Sequence, residues 1–277
     1  MIIDVHTHIF PPEVIAGRER FLEGEPAFAA IYADPRARMV DAPGLVEAMD
    51  REGVDISWVM GFPWVRRENA RLHNDYLIQA AAQSRGRLRA LACLHPPAPW
   101  ARAEAERVLG LGASGLGELA FYDSDLDLAA LAPFCHLAAE AGVPLLLHTN
   151  EPVGHRYPGK APMTLAALYA LVKNHPRTRL VLAHMAGGLF FYALLKKEVE
   201  QVLENVWIDT AAAPFLYRPR AYGLARELLG PGKLLMGSDY PLLPVSRYRR
   251  QFEDPQAGLD QKARAEVMGL AAARLIA

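Results

Sequence analysis

Cysteine is scarce: Cys93 and Cys135 are the only two in 277 residues, and neither sits in a CxxC or CxH arrangement. That excludes a disulfide framework, and both thiols read as buried and free in a reducing compartment. An excess of charge of one sign is also missing, the formal net charge being −1. Nucleic acid is therefore a poor partner, because phosphate binding draws on many clustered Lys and Arg. The densest basic runs, Arg66-Arg67 and Arg247 to Arg250, are short and read as solvated surface. No apolar run is long enough to span a bilayer, and no charged stretch followed by an apolar one marks a signal peptide. A cytoplasmic protein with a small-molecule substrate is expected, with no membrane partner and with homo-oligomer formation left open. A serine nucleophile is disfavoured as well, since "GASGLG" at 112–117 lacks the G-x-S-x-G spacing. Its glycines precede an apolar run instead of opening a helix, so a nucleotide-binding loop is equally poor.

What is present is an alternation. Short apolar runs at 1–8, 55–63, 87–96, 114–121, 143–150, 178–186, 206–212 and 233–241 are separated by segments of helical period. Several runs are apolar nearly throughout, as strands buried on both faces require. The helical segments carry start and stop signals: Asp41 and Pro43 ahead of "GLVEAMDREG", Gly86 after the next, Asp125 and Gly142 around the fourth, and Pro176 closing the fifth. Eight such pairs in one chain predict an α/β fold, a (β/α)₈ TIM barrel forming a single domain over 1–277. A doubly wound open sheet is the alternative, and usually has fewer strands. The insertion at about 10–42, rich in Pro and charge, reads as a long non-helical loop, a lid over the barrel mouth.

In such a barrel, functional side chains gather at the C-terminal ends of the strands. His6 and His8 end the first run, His95 the third, Glu118 the fourth, His148 the fifth, His184 the sixth and Asp239 the eighth. In a strand, residues two apart share a face, so Asp4, His6 and His8 are expected together, with Asp4 deeper as a hydrogen-bonding support. Each residue alone has a bland reading: a core histidine bonded to its surroundings, or a carboxylate capping a helix. Together, four histidines and a carboxylate aimed at one point form a nitrogen-rich site suited to zinc and related divalent ions. His73, His136 and His175 fall in or beside outer helices and read as structural; His155 lies in a loop and stays undecided.

These motifs, HTH at 6–8, a histidine after the fifth and sixth strands and "GSDYP" after the eighth, resemble the amidohydrolase superfamily over nearly the whole chain. The branch is similar to the amidohydrolase-2 group of hydrolases and decarboxylases, which includes aminocarboxymuconate semialdehyde decarboxylase. The resemblance implies that His6, His8, His148 and Asp239 bind one metal ion. It also implies that His184 orients or deprotonates a bound water, and that Asp239 takes its proton. No lysine stands near the fourth strand, so the carboxylated-lysine bridge of two-metal relatives is excluded. Glu118 resembles instead the strand-4 glutamate of TatD-like nucleases and would be a ligand only in a binuclear or bridged site, with His148 and His184 holding the second ion. One ion is favoured. Ala271, where relatives often have Asn, puts only a local turn in question.

The expected cofactor is Zn²⁺ or another divalent ion such as Mn²⁺, Fe²⁺ or Co²⁺. Its water, with a pKa lowered towards about 7, would hydrolyse an amide, lactone or ester of a small organic acid, with Asp239 and His184 moving the proton. Non-oxidative decarboxylation on the same site is the alternative, and a non-enzymatic metal- or ligand-binding barrel is another. Substrate contacts are expected from His155, Arg156, Tyr157 and Lys160 in "NEPVGHRYPGK", from Trp64 and His95, and less from Arg36 and Arg38.

Overall fold

The structure, a computed structural model, describes residues 1–122, 127–161 and 163–275. Eight strands run β1 (Ile3–His8), β2 (Ile56–Met60), β3 (Leu88–Ala92), β4 (Gly115–Leu119), β5 (Leu145–Leu147), β6 (Leu180–Leu182), β7 (Val206–Asp209) and β8 (Leu234–Leu235). They form one sheet in chain order, each pair parallel. The segment after β8 returns to β1: Val5 donates to the Met236 carbonyl, His8 to that of Tyr240, and Asp239 to that of His6. These bonds bring the last strand back to the first, as the expected barrel requires. Each strand lies inside its expected apolar run but is shorter; from β2 to β8 the final residues of the run leave the ladder at the mouth.

Apolar side chains from six strands, among them Val5, Trp58, Leu91, Leu146, Val181 and Leu235, pack into one cluster against Ala272 and Leu275 of the C-terminal helix. A second, larger cluster lies between the strands and the outer helices, where Val59, Leu77, Val108 and Leu147 are all buried. Full burial of each such side chain is worth roughly 1.5–3 kcal/mol.

The outer helices follow their sequence signals in most places. Asp41 accepts from the Gly44 amide at the start of the helix Ala42–Glu52, and Gly53 ends it in the left-handed region at φ 64°. Thr164 caps Leu165–Asn174 in the same way. The expected start near Asp125 lies outside the described residues. A helix over Val245–Glu253 was not anticipated; it turns Tyr248 inward and places the arginines beside it. The long helix expected after the sixth strand is instead a 3₁₀ run (His184–Leu194) followed by a short helix (Glu198–Val202). Met185 to Gly188, ahead of the expected helix start at Leu189, occupy the left-handed region, so no regular α-helix leads in from the strand end.

The insertion after β1 also departs from expectation. It contains helices Pro12–Ala16 and Pro26–Tyr32, each opened by a proline whose missing N–H costs nothing at that position. Phe10, Phe21 and Phe28 from this segment pack with Phe62 and Trp64 from the segment after β2. Glu25, buried, accepts from the Val65 and Arg66 amides where the helix Arg67–Gln83 begins. The insertion is therefore bound to the barrel rim by an aromatic core and a capping carboxylate. Among the described residues, no helix is long and apolar enough to cross a membrane.

Candidate metal centre and active-site cavity

The strand ends deliver their polar side chains to one point. His6 Nε2 and His8 Nε2 lie 3.2 Å apart, and His8 Nε2 is 3.4 Å from Asp239 Oδ1. Glu118 reaches into the middle: its Oε1 is 2.9 Å from His148 Nδ1, 3.3 Å from His184 Nε2 and 3.7 Å from His6 Nε2. Among the described residues, two sets have ligand atoms mutually within 4.8 Å, His6–His8–Asp239 and His6–Glu118–His184. His148 belongs to neither set; its Nδ1 faces Glu118, and its Nε2 is buried with no hydrogen-bond partner. Asp4 stands apart from the histidine rings. A register irregularity follows it in β1, and its carboxylate accepts from the amides of His6 and Ser238 and from the Ser238 hydroxyl. It thereby joins β1 to the segment that carries Asp239, while burial pushes its carboxyl up to about 6.

The donor set fits a cation. Three imidazoles each direct Nδ1 to an acceptor outside the cluster: His6 to Asp209 at 2.8 Å, His8 to the Gly61 carbonyl at 3.2 Å and His184 to the Ala211 carbonyl at 3.0 Å. With Nδ1 donating, each neutral ring presents an Nε2 lone pair inward, beside two carboxylates. Such a group of acceptors, buried and facing itself, is reconciled only by protons or a metal ion. The charge balance agrees. Burial pushes Glu118 upward, but the surrounding histidines outweigh it and hold the carboxyl well below its ordinary range. Burial likewise opposes Asp239, yet His8, His6 and His184 hold it down at about 2. For His184, burial lowers the pKa, but the Glu118 and Asp239 carboxylates raise it above 6.5.

The backbone here is strained. His184 at φ 54° and Asp239 at φ 60° are left-handed non-glycine residues, a conformation that costs on the order of 1–3 kcal/mol and collects at functional sites. Gly237 gives the close packing that the site needs: a Cβ there would lie 2.7 Å from His6 Cβ and 3.3 Å from Asp209 Cβ.

Above the cluster opens a cavity of about 750 Å³. His8, Glu118, His148, His184 and Asp239 all line it. Its walls are aromatic: Tyr32 from the insertion, Phe62 stacked on Tyr122 at 6.0 Å, Tyr157 and Phe215. His155 also lines it, as do Arg36 and Arg38. Other expected contacts lie elsewhere. Trp64 is fully buried behind the wall and donates to His73 Nδ1 at 2.9 Å. Arg156 is exposed, and His95 is half-buried away from the lining. Lys160 turns to Glu151 Oε1 at 2.8 Å and to the Val153 carbonyl, while the Tyr157 hydroxyl donates to the other Glu151 oxygen. Of the lining arginines, Arg36 is tied to Asp34 by paired bonds; Arg38, among the described residues, engages no carboxylate and lies 5.9 Å from the Tyr240 ring. His73 is structural as expected, with Nε2 donating to the Ile9 carbonyl and burial lowering its pKa to about 4. Both cysteines are buried and free.

One residue of the cluster escaped the sequence reading. Asp209, at the end of β7, is fully buried and bonds to both His6 and the backbone of His184.

Comparison with known proteins adds a consistent frame. A family model described as Amidohydrolase (Amidohydro_2) matches residues 3–277. No curated protein matches the chain. Among solved structures, 5-carboxyvanillate decarboxylase from Sphingomonas paucimobilis superposes with a TM-score of 0.78 at 21% identity, over 99% of this chain and 98% of that one. Dihydroxybenzoic acid decarboxylase from Polaromonas sp. JS666, solved with manganese and the inhibitor 2-nitroresorcinol, gives 0.74 at 20% identity, over 99% and 96%. 2,6-Dihydroxybenzoate decarboxylase from Rhizobium gives 0.73 at 20%, over 99% and 98%. At these identities the similarity speaks for the fold.

Proposed function

The chain belongs to the amidohydrolase family, and on that premise we propose that it is a metal-dependent decarboxylase of small aromatic carboxylic acids. The observation that carries this reading is an aromatic-walled cavity whose floor is the histidine–carboxylate cluster. The decarboxylases of similar fold support the lyase over the hydrolysis put first on sequence grounds. His6, His8 and Asp239 would hold the ion, with Glu118 and His148 beside them. The Asp239 carboxylate as ligand, with Glu118 close by, suits manganese, the ion bound in the Polaromonas enzyme, as well as zinc. When bound, a divalent ion supplies a Lewis-acid centre that orients the acid and offsets developing negative charge.

The remaining work falls to the chain. The rings of Phe62 and Tyr122, stacked on each other, offer a flat apolar wall against which a planar substrate can lie. Cleavage of the bond between the ring and its carboxylate releases CO₂ and leaves the electron pair on the ring carbon, which must take up one proton. His184, which lines the cavity 3.3 Å from Glu118 and whose pKa Glu118 and Asp239 raise, is the group placed to deliver that proton. Asp239, held at about 2, stays ionised and serves as ligand and acceptor. Among the described residues, Arg38 lines the cavity without a carboxylate partner and is placed to meet a second acidic group of the substrate.

Hydrolysis is the second reading, favoured by the ionised Asp239 beside the cluster, which would accept a proton from water. Product analysis separates the two. Metal-loaded protein incubated with hydroxylated benzoates in heavy water is expected to release CO₂ and place deuterium at the vacated ring carbon. Incorporation of water oxygen into a product, with no CO₂, would instead establish the hydrolase.

A further inference from the structure

Asp209 has no part in the chemistry just described, yet its carboxylate makes three hydrogen bonds beside the cluster. It is 0% exposed. Its Oδ2 lies 2.8 Å from His6 Nδ1, and its Oδ1 accepts the amides of His184 at 3.0 Å and Ala211 at 2.9 Å. One side chain on β7 is thus bonded to a ring on β1 and to the backbone at the end of β6.

Two consequences follow from elementary hydrogen-bond chemistry. Asp209 Oδ1 already accepts two backbone amides and its Oδ2 faces His6 Nδ1, so the Asp209 bond places a His6 proton on Nδ1. That leaves Nε2, which faces His8, Glu118 and Asp239, as the atom for an ion. The His184 amide, in turn, is held while that residue sits at φ 54°, the conformation that brings its ring within 3.3 Å of Glu118. Gly237 leaves room for the arrangement, since a side chain there would press on both His6 and Asp209.

We propose that Asp209 is a positioning residue that selects the metal-binding tautomer of His6 and, with its other oxygen, fixes the β6 turn bearing His184. The proposal rests on the metal reading of the cluster and does not depend on which bond the enzyme breaks. Asp209→Asn is the discriminating change. The Asn carbonyl can still accept the His184 and Ala211 amides, but the atom facing His6 becomes an N–H donor. His6 must then accept at Nδ1 and carry its proton on Nε2, where the ion binds. The opposite rotamer sets the Asn amide against two backbone donors.

The test is the affinity of metal-stripped protein for Mn²⁺ and Zn²⁺, measured by competition with a chromophoric chelator, with thermal melting of the stripped proteins alongside. Asp209→Asn is expected to weaken binding by roughly 10–100-fold, the usual effect of losing such a partner, while the metal-free melting temperature stays near that of the parent. Nitrogen-15 NMR of the metal-loaded parent provides a reading that needs no variant: the His6 proton is expected on Nδ1. Equal affinity for parent and variant, or a proton absent from His6 Nδ1, overturns the proposal and leaves the metal reading intact. A parent chain that binds neither ion overturns both.

Discussion

Glu118 Oε1 accepts from His148 Nδ1 at 2.9 Å, joining neighbouring strands β4 and β5 at the floor of the cavity. The same carboxylate lies within 3.7 Å of His6, His8 and His184 nitrogens. It is the shared counter-charge of the site, whether or not it touches an ion. Glu118→Gln removes that charge while keeping the shape. The expected outcome is at least a 10-fold loss of Mn²⁺ affinity and a larger loss of turnover, with circular dichroism unchanged. Full metal affinity in the variant would remove Glu118 from the centre.

Arg38 and Lys160 separate binding from loop support. Arg38→Gln is expected to raise KM roughly 10-fold or more for a substrate with a second acidic group, as loss of a charged hydrogen bond does, with kcat little changed. Lys160→Met leaves Glu151 without its ammonium partner and is expected to destabilise the 150–160 loop, seen as faster proteolysis there. Steady-state kinetics and limited proteolysis read the two effects independently.

Gly237→Ala inserts a methyl group where His6 Cβ would be 2.7 Å away. Overpacking of this kind costs about 1–3 kcal/mol, and here the displaced neighbours are a ligand and its carboxylate. Urea unfolding should show the destabilisation, and the metal titration a weaker site; a neutral substitution would mean that the segment yields without moving His6.

His73 predicts an acid-side loss of stability. Buried between Trp64 and the Ile9 carbonyl, its pKa falls from 6.5 to about 4. Below pH 6.5 the unfolded chain binds a proton that the folded chain refuses, so stability declines as pH falls from 6.5 towards about 4. The full span is worth about 3 kcal/mol. Urea unfolding at pH 7.5 and 4.5 should show that loss in the parent, and His73→Gln should lose less by about that amount. Identical pH dependence in the two proteins would contradict it.

Much of this molecule is legible in the sequence because a barrel converts strand ends into one place. The His6–His8 pair, His148, His184 and Asp239 are far apart along the chain and meet for that reason. Asp209 satisfies the same criterion, a carboxylate closing the apolar run "VWID", and scanning carboxylates at strand ends as closely as histidines would have found it. Loop residues are different. Their side-chain directions follow no period, so Trp64 turning into the aromatic core and Lys160 into Glu151 could not be read from spacing. The helical turns of the insertion were hidden in the same way, although Pro12 and Pro26 stand at the first helical position in each.

The most direct test is CO₂ release from hydroxylated benzoates by metal-stripped protein as Mn²⁺ is added back. Activity is expected to be absent in the stripped protein and to rise to a plateau at one ion per chain, and His8→Ala should abolish both binding and turnover. Stripped protein that releases CO₂ as fast as the loaded enzyme, or loaded protein that binds the ion at this cluster and releases none from any such acid, would contradict a metal-dependent decarboxylase.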